Sequence, residues 1–190
     1  MTENTAGIEA VFVVDTSLPS VPEEWKGNDW EIEEHKPLGV GKVEVTFRNG
    51  KMFINGQQVD EYLSKEQKAE QGYVDGGNFV GAILLGEGYY MNGYELLKEL
   101  TEKIVLPDAI LDLLIREQNH PAVATYLRVY ITPSQIRFPS FWGTRYRTAG
   151  TGETCVRGLF WANDEWMWIQ SYLHNPWFWF FPALVLEHKA

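Results

Sequence analysis

The sequence has one cysteine, Cys155, in 190 residues. An intramolecular disulfide is therefore excluded, as is a zinc site built from paired cysteines. A lone thiol suits a reducing compartment, so a cytoplasmic setting is expected. Histidine is also scarce. His35, His120, His174 and His188 match neither H-x-x-x-H nor H-E-x-x-H, and no metal or other cofactor is expected.

Long hydrophobic runs are missing. The longest, Phe79–Leu85 and Pro176–Leu186, fall well short of the ~20 residues that span a bilayer. No basic stretch leads into an apolar one at the start, so neither a secretory signal nor a transmembrane segment is expected. The glycine-rich stretch "GYVDGGNFVGAILLGEGYYMNG" lacks both G-x-G-x-x-G after a strand and G-K-[ST]. It does not read as a phosphate cradle. A buried strand at Phe79–Leu85 between glycine turns is expected instead.

Positive charge is in deficit: 16 Lys/Arg against 26 Asp/Glu, a net of −10. Direct nucleic-acid binding is disfavoured, because phosphate contacts lean on net positive charge. The deficit is uneven. Residues 1–95 hold 7 Lys/Arg and 17 Asp/Glu, whereas residues 96–190 hold 9 of each. Within the second half, Arg128, Arg137, Arg145, Arg147 and Arg157 are opposed locally only by Glu153.

Aromatics are abundant, at 14%, and six of the eight tryptophans lie between Trp142 and Trp179. The 45% hydrophobic and 22% charged composition is that of a globular chain with a buried core. One compact domain is expected over 8–190, with a sub-lobe boundary near 90–121 and a flexible 1–7.

Residues 8–14, "IEAVFVV", read as a strand, and the acidic "EEWKGNDWEIEEHKP" as loop or short edge structure. Val43, Val45 and Phe47 alternate with polar residues up to Asn49-Gly50. Met52 and Ile54 continue to Asn55-Gly56. Both dipeptides favour tight primed turns, so a meander is expected. "DEYLSKEQKAEQ" reads as a short polar helix.

Asn92 with Glu95 spells a capping box, followed by an apolar stripe of Leu96, Leu97, Leu100 and Ile104. Pro107 opens a second helix, with the stripe Ile110, Leu111, Leu114 and Ile115, which stops before Pro121. "VATYLRVYI", "SQIRFPSFWGTRYR", "TCVRGLFWA" and "EWMWIQSYL" then read as strands. The expected fold is α+β: a twisted antiparallel sheet or partial barrel with a central pair of amphipathic helices.

"NPWFWFFPALVL", residues 175–186, is apolar on both faces if residues 177–181 are a strand. It is then core, or has one face on a partner. Arg145 and Arg147, two apart, share a strand face that could fork onto carboxylate or phosphate. Alternatively they pair with the acidic amino-terminal half.

Tryptophan anchors and arginines together fit a protein-binding or inhibitory module. Its patch would draw on Trp142, Arg145, Arg147, Trp161, Asp164, Glu165, Trp166, Trp168, Trp177 and Trp179. The acidic amino-terminal half could mimic nucleic acid toward a basic protein partner, and a homodimer fits the same features. The alternative is a carbohydrate-binding module or weak glycoside-acting enzyme. In that case Trp142, Trp161, Trp166 and Trp168 form the platform, and Asp164 and Glu165 accept sugar hydroxyls. A third reading is a small enzyme with Cys155 or a histidine at its centre, His120 or His174 serving as base for the thiol.

Overall fold

Three two-residue turns set much of the strand pattern. Asn49-Gly50 has φ values of 52° and 69°, and Asn55-Gly56 of 49° and 77°. The third, Asn163-Asp164, has 53° and 61°. Left-handed backbone at both positions matches the twist of the flanking strands. The structure, a computed structural model, describes residues 9–27, 29–69, 91–132 and 135–186.

The first two turns join β3 (Lys42–Arg48), β4 (Lys51–Ile54) and β5 (Gln57–Tyr62), the expected meander. β1 (Ala10–Asp15) pairs antiparallel with β3, placing Phe12 opposite Val45. The acidic segment holds a 3-10 turn at Glu23–Trp25 and an edge strand, β2 (Trp30–His35). A helical stretch covers 65–69, beginning later than the polar sequence around it. The strand expected at Phe79–Leu85 lies outside the described residues.

The second half supplies β10 (Ser140–Thr148), β11 (Thr154–Ala162) and β12 (Glu165–Tyr172). β14 (Ala183–Leu186) closes the order β1-β3-β4-β5-β14-β10-β11-β12, with β2 against β10 and β7 (Ile104–Val105) against β14. The neighbours are antiparallel except β14 and β10, which run parallel and meet at Ser140↔Ala183. Short pairs β6 (Met91–Asn92) with β13 (Pro176–Trp177), and β8 (Ile131–Thr132) with β9 (Gln135–Ile136), stand apart. The fold is mixed α+β and mostly sheet, as expected at that level.

The helices differ from expectation in two ways. α1 (Gly93–Leu100) has its capping box: Asn92 Oδ1 accepts from Glu95 N–H at 3.1 Å, and Glu95 Oε2 from Asn92 N–H at 3.0 Å. α2 (Asp108–Arg116) follows, with Pro107 as its N-cap rather than its first helical residue. The central pair is not borne out. α1 buries Leu96 and Leu100 in a cluster with Trp142 and Trp177. α2 buries Ile110, Leu111, Leu113 and Leu114 in a separate cluster with Val45, Phe47 and Tyr126. Spacing predicts each stripe but not what the stripe meets.

Residues 123–131, expected as a strand, form α3 (Pro121–Leu127) and a 3-10 turn at Arg128–Tyr130. His120 caps α3, its Nδ1 accepting from Ala122 N–H at 3.3 Å. Pro121 takes the first turn, where no N–H is missed. Ala122, Val123, Tyr126 and Leu127 are buried. That is a helical period, which overrides their β-like composition.

α2 touches β1 and β12, the two ends of the strand order, as well as β10 and β11. The sheet therefore bends around this helix. A buried polar network fixes the contact. Asp108, fully buried, accepts from Thr144 Oγ1 at 2.7 Å and from Arg157 Nη1 at 3.1 Å. Arg157 also bonds Asp112 at 2.9 Å, and its guanidinium lies over Trp168, 4.9 Å from the ring centre. Gly143 lets β10 approach: a Cβ there would sit 2.6 Å from Pro107 N and 2.8 Å from Leu106 C.

Candidate functional site

The ten residues singled out in the sequence do not form one patch. Trp142 and Trp177 are 1% exposed, and their rings meet at 4.7 Å. Their N–H groups are used internally, Trp142 donating to Ser140 Oγ at 2.9 Å and Trp177 to the Tyr172 carbonyl at 3.3 Å. Trp179 is buried as well. Trp168 is half-buried, holding the Arg157 guanidinium on one side and an edge contact from Trp25 at 5.3 Å. Glu165 is exposed.

Arg145 and Arg147 flank buried Tyr146 on β10. Arg145 pairs with Glu34 and, at 3.2 Å, with Glu33. The register of β2 on β10 slips between Arg145 and Tyr146, and Glu33 also accepts from Thr154 Oγ1 at 3.1 Å. Arg137 pairs in the same way with Glu61. The acidic half therefore supplies internal partners for both arginines. Arg147 is exposed.

The aromatic run answers its own question residue by residue. Residues 178–181 are no strand: the chain turns, and Phe181 N–H donates to the Phe178 carbonyl at 3.0 Å. Gln67 Nε2 donates to that same carbonyl at 2.9 Å. The turn sends Trp177 and Trp179 inward and leaves Phe178, Phe180 and Phe181 half-buried.

These three join Phe138 and Phe160 in continuous ring contact. Phe160 meets Phe138 at 5.5 Å, Phe138 meets Phe181 at 5.5 Å, Phe181 meets Phe180 at 4.7 Å and Phe180 meets Phe178 at 5.3 Å. All five are half-buried. Met167, opposite Phe160 in the β11–β12 register, is 41% exposed. A groove of about 360 Å³ borders the cluster, lined by Ile169, Tyr172, Pro176, Trp177, Phe178 and Phe181. Tryptophan drew attention in the sequence because it is rare. In this region the phenylalanines are half-buried, while Trp142, Trp177 and Trp179 are buried.

Trp161, Asp164 and Trp166 do come together. They line a recess of about 230 Å³ with Gln118, Asn119 and Arg128. Gln118 fixes the β11–β12 hairpin over the end of α2. Trp166 N–H donates to Gln118 Oε1 at 2.7 Å, and Gln118 Nε2 donates to the carbonyls of Trp166 at 3.2 Å and Ile115 at 3.0 Å. Trp161 is half-buried and meets Trp166 at 5.4 Å. Arg128 was not legible as a site residue because the segment that brings it here reads as a strand, and Asn119 because it falls at the end of the expected second helix.

Cys155 is fully buried, and burial pushes its thiol up to about 12. A thiol held protonated is a poor nucleophile, which argues against Cys155 as the nucleophile of the third reading. His120 caps a helix and His174 stacks beside Tyr172. Among the described residues, no group of three His, Cys, Asp or Glu is placed to hold a metal ion, and no helix is long and apolar enough to cross a membrane. No protein-family model, curated protein or solved structure matches this chain.

Proposed function

We infer that the chain is a protein-binding module whose contact face is the phenylalanine cluster around Phe138, Phe160, Phe178, Phe180 and Phe181. The observation that carries this reading is the unbroken ring contact among five half-buried aromatic side chains beside an apolar groove. Contiguous exposed apolar surface rimmed by polar residues marks interaction sites. Aromatic anchors supply most of the binding energy of such faces.

The acidic amino-terminal half contributes orientation toward a basic partner, which makes association salt-sensitive. Part of that charge is spent inside the molecule, because Glu33, Glu34 and Glu61 answer Arg145 and Arg137.

The test is affinity capture from the source cells with wild type and a Phe178→Ser/Phe180→Ser variant. Near-UV circular dichroism and Tm verify that both are folded. A partner retained by wild type and lost with the folded variant is expected, with weaker retention at high salt. A second copy of the chain is one admissible partner, read by sedimentation. Equal capture by both baits sinks the face, and salt-independent capture sinks the acidic contribution.

A further inference from the structure

We propose that the recess between the β11–β12 hairpin and the α2–α3 turn binds one pyranose-sized, neutral polyol ring. Trp161 would stack on its CH face, while Asp164, Asn119 and Arg128 engage its hydroxyls.

The hairpin turn is the first support. Elsewhere this chain makes the same left-handed turn with Asn-Gly, at 49–50 and again at 55–56. At 163–164 it uses Asn-Asp, with Asp164 at φ 61°. Glycine adopts that conformation without cost, and aspartate is among the few side chains that tolerate it. This turn therefore carries a carboxylate where the other two carry only hydrogen, and it lines the recess.

Charge is the second support. Asp164 and Arg128 both line the recess, yet neither forms an ion pair with the other or with any described residue. They bring one charge of each sign. A neutral polyol satisfies both, since its hydroxyls donate to the carboxylate and accept from the guanidinium.

Shape is the third. About 230 Å³ accommodates one sugar ring and is below the ~300–1,000 Å³ of drug-sized sites. The aromatic wall of Trp161 and Trp166 suits the apolar face of such a ring. The Gln118 clamp holds the wall before any ligand arrives. Of the adjacent carboxylates Asp164 and Glu165, only Asp164 lines the recess, so these two do not form a facing hydrolytic pair there.

Saturation-transfer NMR with methyl glycosides of the common hexoses, pentoses and N-acetylhexosamines tests this, with glycine and alanine as zwitterionic controls. Asp164→Gly is the deciding variant, because it removes the carboxylate and relieves the turn. Expected are millimolar binding of at least one neutral sugar by wild type and a loss of about tenfold or more in Asp164→Gly. Its Tm should be equal or higher. Silence across the sugar panel overturns the proposal. So does binding of the amino acids in preference, sugar binding that survives in Asp164→Gly, or a lowered Tm in that variant.

Discussion

At the residue scale, the sharpest consequence concerns Cys155. Its thiol is raised to about 12 by burial, even though nearby Arg157 pulls it the other way. An unfolded cysteine ionises near ~8.5. The native state thus keeps a proton that the unfolded chain gives up. This contribution is whole below the unfolded value. It declines as pH rises toward the folded one, by at most about 1.4 kcal/mol per pH unit.

The urea midpoint should therefore fall between pH 8 and pH 10, below the range of the buried Tyr126 and Tyr130. The fall should be smaller in Cys155→Ala. An equal fall in both proteins would refute this account, as would labelling of the folded protein by iodoacetamide at pH 8. Residue identity also explains what the sequence could not reveal about aromatics. Trp177 and Phe178 are neighbours of similar hydrophobicity, and only the turn held by Gln67 and Phe181 decides which one faces inward.

At the scale of elements, the local features were legible and the partnered ones were not. Asn49-Gly50, Asn55-Gly56 and the Asn92–Glu95 box are fixed by residues within a few positions of each other, and each forms as read. Residues 123–127 show the limit. Val and Tyr argue for a strand, whereas the spacing of Ala122, Val123, Tyr126 and Leu127, with a cap before Pro121, argues for a helix. Periodicity and capping win over composition.

The packing of α2 on β10 yields a prediction of its own. Gly143→Ala places a methyl group against the Pro107 and Leu106 backbone. Backbone cannot move aside as a side-chain tip can, so a loss at or above the ~1–3 kcal/mol of ordinary overpacking is expected. Chemical denaturation measures it, and a change under about 0.5 kcal/mol, the range of neutral surface substitutions, would show that β10 and α2 are not in close contact.

For the whole molecule, the network of Asp108, Thr144, Arg157 and Asp112 joins the helix to the sheet bent around it. Asp108 is raised from its ordinary value chiefly by burial, with Thr144 and Arg157 working against that shift. Arg157→Leu leaves this buried carboxylate without its cation, and about 3–5 kcal/mol should be lost. Asp108→Asn on top of Arg157→Leu should recover a substantial part, because no unpaired charge then remains. Equal losses in the single and double variants would assign the network no electrostatic role. None of this was legible in the sequence, where Arg157 belongs to a basic stretch and Asp108 to a helix start. Their meeting depends on a strand order that brings β10 and β11 beneath α2.

That strand order also constrains biosynthesis. In the strand order, the meander of β1, β3, β4 and β5 meets the later strands β10, β11 and β12 at β14, which lies between β5 and β10. β14 comes from residues 183–186. β14 covers four positions of β5, whereas it meets β10 only at Ser140, and β2 already pairs β10 over 144–148. Until residues 183–186 have emerged, β5 lacks its β14 partner, and that edge is open to chaperones and to edge-to-edge pairing between neighbouring nascent chains.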